Sequence, residues 1–241
     1  MTVSLCVPVH DPESKLQPFL VELLTSVLKQ DVLPAEVVIT ANHDLSYQSD
    51  LSALVGSAFA FRVIRSMANN APSNLNFAVS QCRGDFVRIL FQDDLLPTAS
   101  SLSSSVQVLM DGKAQWAVCA FDHLQDESGK IVRPMVPRIG WRLRFGVNRV
   151  GAPSVVTFRR SAFVQADESL VFLFDCDWYL RMLHANGKPA TVARLGCRVR
   201  LHAGQATEWA KVHLPRERKW VFARHNIAPR ALPNSNCKCI G

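Results

Sequence analysis

The sequence predicts a single α/β domain in which a mainly parallel central sheet is flanked by helices. Three observations support this fold class. The chain has 241 residues, enough to bury one large core. Its composition, 48% hydrophobic and 20% charged, is that of a globular protein. Short apolar runs also alternate with segments of helical periodicity, as in βα units.

The alternation is clearest in the first half of the chain. Apolar runs of strand length occur at residues 4–9, 36–40, 61–64 and 86–91. Apolar residues recur at helical spacing in the segments 16–28, 75–82 and 102–109. Because strands that alternate with helices pair in parallel, these segments predict the core of the sheet.

The pattern loosens after about residue 113. Two more strands are predicted at 117–121 and 154–158, and the Arg- and Pro-containing stretch 130–150 between them is predicted to be a surface loop. A helix is predicted over 176–183, closed by Asn186-Gly187.

The charge is unevenly distributed. Residues 1–120 hold 7 Lys/Arg and 11 Asp/Glu, so the net charge of +7 comes from the second half. A basic half can face an anionic acceptor, a membrane surface or nucleic acid, or it can simply be solvated. No nucleic-acid reader motif is present, so we expect no nucleic-acid partner. Peripheral membrane contact through the segment 216–220 remains open.

The expected cellular location is predicted from the apolar runs and from the cysteine positions. No apolar run approaches the length needed to cross a bilayer, and no basic stretch precedes the first apolar segment, so we expect a cytoplasmic protein, with contact to the inner face of the membrane as an option. Five of the seven scattered cysteines fall in apolar or periodic segments, which favours reduced core thiols. Cys237 and Cys239 lack a second ligand pair for zinc.

Polar side chains follow three of the predicted strands. His10 comes after the first strand, Asn42 after the second, and Asp93-Asp94 after the strand that ends in Phe91. In an open parallel sheet, ligands bind beyond the carboxyl ends of the strands. Adjacent carboxylates suit Mg²⁺ or Mn²⁺, which complete their shell with water and substrate phosphates. The alternative is an Asp-rich turn before the next helix.

The order of these segments resembles the family 2 glycosyltransferases over nearly all of residues 3–208. The matching segments are Ser4-Leu5-Cys6-Val7-Pro8-Val9-His10-Asp11, Leu24-Thr25-Ser26-Val27-Leu28-Lys29-Gln30, Glu36-Val37-Val38-Ile39, Asn74-Leu75-Asn76-Phe77-Ala78-Val79, Arg83-Gly84-Asp85-Phe86-Val87, Phe91-Gln92-Asp93-Asp94, Gly151-Ala152-Pro153-Ser154-Val155-Val156-Thr157-Phe158-Arg159-Arg160-Ser161 and Asp175-Cys176-Asp177-Trp178-Tyr179-Leu180-Arg181. The resemblance implies a GT-A (Rossmann-like) fold, a nucleoside-diphosphate-sugar donor and transfer with inversion at the anomeric carbon.

The resemblance also implies roles for particular residues. Asp175 matches the catalytic base; capping of the following helix is the alternative, and Asp177 is a substitute base. The predicted metal ligands for Mg²⁺ or Mn²⁺ are Asp94 and His202. The predicted donor-binding residues are Pro8, Val9, His10, Asn42, Asn76 and Asp93. We expect a UDP- or dTDP-sugar rather than a GDP-sugar, and a glycan or lipid-linked acceptor.

By the same resemblance, residues 1–210 form the GT-A domain, with a nucleotide-sugar-binding half (1–112) and an acceptor half (113–210), and 211–241 form a C-terminal helix and tail. Three departures from the family pattern, at Ala41, Phe91 and Phe174, motivate a second hypothesis: a nucleotide-sugar-binding protein that kept the fold without turnover. A nucleotidyltransferase is less well supported, because no Gly-rich, Lys-containing phosphate loop follows the first strand.

Overall fold

A computed structural model of the protein describes residues 1–11, 13, 15–203 and 210–225. Within these residues, eight strands form one sheet with helices packed against it. The strands are β1 Val3–Val9, β2 Glu36–Ala41, β3 Ala60–Arg65, β4 Phe86–Ile89, β5 Trp116–Gln125, β6 Lys130–Met135, β7 Val156–Arg159 and β8 Ala190–Leu201. The α-helices are α1 Gln17–Leu28, α2 Gln48–Val55, α3 Ala71–Gln81, α4 Ser101–Asp111, α5 Phe174–Asn186 and α6 Leu214–Arg224. The predicted α/β fold class is confirmed.

The first half builds a parallel sheet in the spatial order β3-β2-β1-β4. β1 and β2 are buried along their whole length, which explains their nearly continuous apolar sequences. Gly84 lies where the chain passes β1 before entering β4, and a Cβ there would come within 2.6 Å of the Ser4 backbone nitrogen. Because these strands are parallel, the carboxyl ends of β1, β2 and β4 lie side by side along one edge of the sheet.

The second half adds strands of mixed direction. β7 is antiparallel to β4 and to β5, and β6 is antiparallel to β5. β8 returns from beyond α5 to pair in parallel with β5 over almost its full length. The sheet is therefore parallel on one side and mixed on the other, and the second half is the one whose sequence pattern is less regular.

The predicted surface loop at 130–150 is wrong in part. Residues Lys130–Met135 form β6, and Trp141–Phe145 form a 3₁₀ helix. Neither element has a regular sequence pattern: β6 pairs with β5 alone and contains a proline, and in the 3₁₀ helix Arg142 and Arg144 alternate with the buried Leu143 and Phe145. The sequence also gave no indication of α2 or β8.

The buried cysteines agree with the expected reduced core thiols: Cys6, Cys82, Cys119, Cys176 and Cys197 are all free and buried. Cys237 and Cys239 lie outside the described residues. No helix in the described part of the chain is long and apolar enough to cross a membrane.

Candidate active site

The ends of β1 and β2 carry a hydrogen-bonded pair of side chains. His10 and Asn42 approach within 2.9 to 3.1 Å through the His10 ring nitrogen Nδ1 and the Asn42 amide. The His10 backbone N–H donates to the Gln92 side-chain oxygen at 2.6 Å, which links β1 to the residues that follow β4. Beneath them, the buried Asn74 side chain donates to the Val9 and Thr40 carbonyl oxygens. Two predicted donor-binding residues therefore lie together at the sheet edge.

Asp93 and His202 form the second part of this edge. The Asp93 Oδ2 and His202 Nε2 atoms are 3.1 Å apart, and both side chains are partly exposed, at 18% and 16%. They are 109 residues apart in the sequence, and β8 brings them together by carrying His202 back beside the segment that follows β4. The ring of Phe19, from α1, packs against the imidazole.

Asp94 lies deeper than its neighbour. It is only 2% exposed, and one of its oxygens accepts the Arg200 backbone N–H at 3.1 Å. Burial, together with the adjacent Asp93 charge, raises the pKa of the Asp94 carboxyl well above its usual range, while the Ser154 hydroxyl and the Arg200 backbone N–H oppose that shift. We call His10, Asn42, Asp93, Asp94 and His202 the strand-end cluster.

Arg200 holds the strand-end cluster in place. Its Nε donates to the Asp93 carbonyl oxygen at 3.2 Å, and its guanidinium pairs with Asp126 and with Glu22 of α1. The guanidinium carbon also lies 4.4 Å from the centre of the Phe19 ring. The side chain of Arg200 is therefore an anchor between α1, β5 and β8, and its own backbone positions Asp94.

The chemistry of this cluster fits a divalent metal ion. Asp93 offers a carboxylate oxygen next to an imidazole nitrogen, at a solvent-accessible edge and above a second carboxylate. The described residues contain no group of three or more His, Cys, Asp or Glu side chains placed to hold a metal. A metal at Asp93 and His202 would thus take its remaining ligands from substrate phosphates and water, as Mg²⁺ and Mn²⁺ commonly do.

Asp175 lies in the first turn of α5. One of its oxygens accepts the Asn148 side-chain N–H at 2.6 Å and the other accepts the Cys176 backbone N–H at 2.6 Å. Its side chain is only partly exposed, and burial raises the pKa of Asp175 from 3.8 to about 6, although both hydrogen bonds oppose the shift. A carboxylate with a pKa near 6 can take up a proton close to neutral pH.

Asp177 has a different environment, although it is only two residues away. Its side chain is 0% exposed and accepts from Arg224 Nη1 at 3.3 Å and from His225 Nε2 at 2.9 Å, and Arg181 lies 3.8 Å away. These contacts leave no access for a substrate hydroxyl. Of the two candidates for the base, the structure therefore favours Asp175. We call Asn148, Asp175 and Asp177 the helix-start cluster.

Three other predicted donor-binding positions are less accessible. Pro8 and Val9 are buried strand residues, so their side chains face the core. The Asn76 side chain is fully used by the segment that precedes α5: it donates to the Ala166 carbonyl and to Glu168, and it accepts the Ala166 N–H. Any contribution of these residues to donor binding remains a prediction.

Asn148 and Asn74 support side chains or backbone of the two clusters, and the sequence analysis gave neither of them a role. Asn148 lies in the stretch interpreted as a loop; its amide oxygen accepts the Val150 and Gly151 N–H groups, which orients its N–H towards Asp175. The segment it opens reaches Ser154, whose hydroxyl oxygen accepts the Phe91 N–H just before Asp93. The Asn-x-x-Gly pattern is a turn signal that could have indicated this organising role.

The chain folds like known sugar-transferring enzymes. TarS of S. aureus (residues 1–349) in complex with UDP superposes with a TM-score of 0.65 at 15% identity, covering 97% of this chain and 76% of that one. Without a ligand, TarS 1–349 gives 0.64 at 15% identity, covering 94% and 74%. The mannosyltransferase PcManGT of Pyrobaculum calidifontis, in complex with GDP-Man and Mn²⁺, gives 0.64 at 18% identity, covering 96% and 66%. No curated protein sequence matches.

At 15% to 18% identity these structures share the fold with this chain, which is the GT-A fold. The family model for glycosyl transferase family 2 matches residues 4–171, and the chain belongs to that family. This assignment confirms the resemblance read from the sequence motifs, and it makes sugar transfer the general chemistry of the protein.

Proposed function

We propose that the protein transfers a sugar from a nucleoside-diphosphate-sugar donor to a hydroxyl acceptor, with inversion and with Asp175 as the base. The observation that carries this proposal is the environment of Asp175. It is a partly exposed carboxylate at the start of α5, oriented by Asn148, with its pKa raised to about 6. A carboxylate that only capped the helix would have a lowered pKa, because backbone N–H groups and the helix dipole favour its ionised form.

The proposed step is a single displacement. Asp175 accepts the proton of the acceptor hydroxyl while that oxygen forms a bond to the anomeric carbon. The bond between the anomeric carbon and the phosphate oxygen breaks, and its electron pair leaves with the nucleoside diphosphate. The raised pKa supports this role, because the carboxylate is a stronger base than an exposed Asp and is still ionised at pH 7.

Asp93 and His202 are the residues proposed to hold a divalent cation, with Asp94 fixing the turn beneath them. When bound, such an ion supplies positive charge that stabilises the departing diphosphate. The imidazole lies outside the all-oxygen ligand set that Mg²⁺ prefers, so we propose Mn²⁺ ahead of Mg²⁺. The Asp93 carboxylate then serves both the ion and the donor, which joins two roles that the sequence analysis had assigned to separate residues.

Donor identity is proposed from the family resemblance. His10 and Asn42 present ring and amide edges suited to a nucleotide base or ribose, without a charged group between them. The similar structures include complexes with UDP, UDP-GlcNAc and GDP-Man, so they support a nucleotide-sugar donor of either base type. We retain a UDP- or dTDP-sugar as the first donors to test.

The deciding experiment compares Asp175→Asn with the wild-type protein. A panel of UDP-, dTDP- and GDP-sugars is incubated with Mn²⁺ and candidate glycan or lipid-linked acceptors, and release of nucleoside diphosphate is followed. We expect Asp175→Asn to lower kcat on the order of a hundred- to ten-thousand-fold. Asp85→Asn is the matched control, because Asp85 lies before β4, away from both clusters, and contacts Thr2.

A second candidate function is nucleotide-sugar binding without turnover, which Ala41, Phe91 and Phe174 motivate as departures from the family pattern. Calorimetry separates the two. Metal-dependent binding of a nucleotide sugar, without transfer to any acceptor and without a change on Asp175→Asn, would support the binding protein. Wild-type transfer that depends on Asp175 would eliminate it.

We also propose contact with an anionic lipid surface through the basic stretch that contains Asn148. Residues 128–166 contain eight Lys/Arg and no Asp/Glu. Within this stretch Arg138, Arg142 and Arg144 are exposed, and Trp141 is 61% exposed with the Arg142 guanidinium packed on its ring. Basic groups interleaved with exposed aromatic and aliphatic side chains favour a membrane interface.

Vesicle co-sedimentation tests this contact. Wild-type protein should bind vesicles that contain anionic lipid at low salt and should be released as salt is added, because screening weakens surface attraction. The triple variant Arg138→Gln, Arg142→Gln and Arg144→Gln should bind less. Equal binding to neutral vesicles, or no effect of the triple variant, would contradict the proposal.

A further inference from the structure

Helix α6 forms hydrogen bonds with the chain on both sides of Asp175. Before Asp175, the Glu217 carboxylate accepts three consecutive backbone N–H groups, from Val171, Phe172 and Leu173, at 2.7 to 2.9 Å. After Asp175, Arg224 and His225 at the end of α6 bind the buried Asp177. Only three residues lie between Leu173 and Asp177, and Asp175 is the middle one.

Glu217 is the more informative of these contacts. It is 2% exposed, and it lies at the N-terminal end of α5, where a negative charge is favoured by the helix dipole. The helix has no side-chain cap at its own N-cap residue, Leu173. A residue 44 to 46 positions further along the chain therefore supplies the acceptors for the backbone that enters α5.

The buried side chains of α6 indicate that its contacts orient the backbone that enters α5 more than they stabilise the fold. Its buried residues are Glu217 and Val221, so one of its two buried side chains is a carboxylate. Burying a charge is costly, and apolar residues of similar size hold a helix at least as well. What a carboxylate adds is orientation, because three N–H groups converge on two oxygens and fix the path of residues 171–173.

We infer that Glu217 is a positioning residue that aims Asp175 at the acceptor hydroxyl. The inference rests on the proposed role of Asp175 as the base. Leu173 is held between Glu217 and the close-packed Gly146, where an added Cβ would lie 2.9 Å from a Leu173 methyl carbon. Asn148 then holds the Asp175 carboxylate itself. A shift of residues 171–173 moves Asp175 relative to the strand-end cluster, whereas the donor contacts at β1 and β2 stay unchanged.

The test is kinetic, on the full chain. Glu217→Gln keeps one side-chain oxygen as an acceptor and Glu217→Ala keeps none, so kcat should fall in that order. A misplacement of about an ångström lowers the rate on the order of a hundredfold, and we expect a tenfold to hundredfold loss for Glu217→Gln. The donor KM, and nucleotide binding measured by calorimetry, should remain at the wild-type values.

Glu36→Gln is the matched control. Glu36 is also a buried glutamate; it accepts from the Ser4 hydroxyl and the Arg83 N–H and pairs with Arg62. It begins β2, at the strand end opposite to the one that carries Asn42. We expect Glu36→Gln to lower the unfolding temperature while leaving kcat close to wild type. All rates are compared at temperatures where thermal unfolding shows each variant to be folded.

Two failures are distinguishable. If Asp175→Asn retains wild-type kcat, the base assignment is wrong and the positioning role is overturned with it. If Asp175→Asn is inactive but the kcat of Glu217→Gln matches that of Glu36→Gln, only the positioning role is overturned. Should Glu217→Ala fail to fold, Arg224→Gln tests the contact that α6 makes with Asp177, after Asp175 in the chain. An unchanged kcat in both Arg224→Gln and Glu217→Gln would also overturn the positioning role.

Discussion

The strand-end cluster and the helix-start cluster are held in different ways. In the strand-end cluster, His10, Asn42 and Asp93 each follow a parallel strand closely, so the sheet itself sets their spacing. Asp175 has no such support. Its position depends on the turn that begins at Asn148 and on α6, which belong to separate parts of the chain.

This difference separates the expected consequences of mutation. Substitutions in the strand-end cluster should change ligand binding with little effect on the frame, because the backbone beneath is fixed by strand pairing. Around Asp175, substitutions should change stability, pKa or the reaction rate, since those side chains also hold the backbone. The predictions below test this division, from the largest expected effect to the smallest.

Asp175 and Asp177 should respond in opposite directions. Asp177→Asn removes the buried carboxylate that Arg224 and His225 contact, while Arg224 keeps its ion pair with Asp167, so the free energy of unfolding should fall by about 2 to 3 kcal/mol. Asp175→Asn should instead raise it at pH 7, by about 1 to 2 kcal/mol, because the native state disfavours the ionised carboxyl.

Urea unfolding at two pH values checks the sign. The pKa of Asp175 is raised from 3.8 to about 6, so its favourable contribution is complete below pH 3.8 and is lost as the pH rises through 6. The gain in Asp175→Asn should therefore be present at pH 7 and absent at pH 3.5. A loss of stability at pH 7 would show that the hydrogen bonds to Asp175 outweigh its burial.

The same contrast explains what the sequence could predict. Buried parallel strands have continuous apolar sequences, and polar residues directly after them indicate the binding edge, so β1, β2 and β4 and Asp93 were identifiable. Asp175 was identifiable from the family motif. Its supports were not, because Asn148 lies in an irregular stretch and Glu217 contacts residues 44 to 46 positions away.

Contacts made by β8 show the same limit. Arg200 bonds to Glu22, 178 residues earlier, and His202 meets Asp93 across 109 residues. Nothing local in the sequence encodes such pairings, since they arise only when β8 adds to the sheet beside β5. Short-range periodicity thus predicts elements well, but it does not predict which distant side chains those elements bring together.

Metal and nucleotide should bind cooperatively at the strand-end cluster. Because Asp93 and His202 supply only part of a coordination shell, Mn²⁺ alone should shift the unfolding temperature little, and Mn²⁺ with UDP should shift it clearly. His202→Asn should weaken Mn²⁺ affinity in the presence of UDP on the order of tenfold or more. His184→Asn, at the exposed end of α5, is the control. Equal shifts with and without Mn²⁺ would contradict the metal site.

Asn148→Ala should alter the pH dependence of the reaction. The Asn148 N–H stabilises the ionised form of Asp175 and lowers the pKa of that carboxyl, so its loss should move the acidic limb of kcat/KM upward by about one pH unit. The rate then begins to fall at a higher pH on acidification. Asn186→Ala removes a comparable amide contact, to the Ala162 carbonyl at the far end of α5, and should leave the limb in place.

The smallest expected effect is at Asn42. It tests most directly whether the strand-end cluster affects ligand binding without affecting stability. Asn42 contacts His10 at the exposed edge, so Asn42→Ala should raise the donor KM by about two- to tenfold and leave both kcat and the unfolding free energy near wild type. Asn74, one layer below, bonds the Val9 and Thr40 carbonyls, and Asn74→Ala should lower the unfolding free energy by about 1 to 3 kcal/mol. If Asn42→Ala destabilises the protein as much as Asn74→Ala, the strand-end cluster also supports the frame, and the two clusters differ less than their contacts indicate.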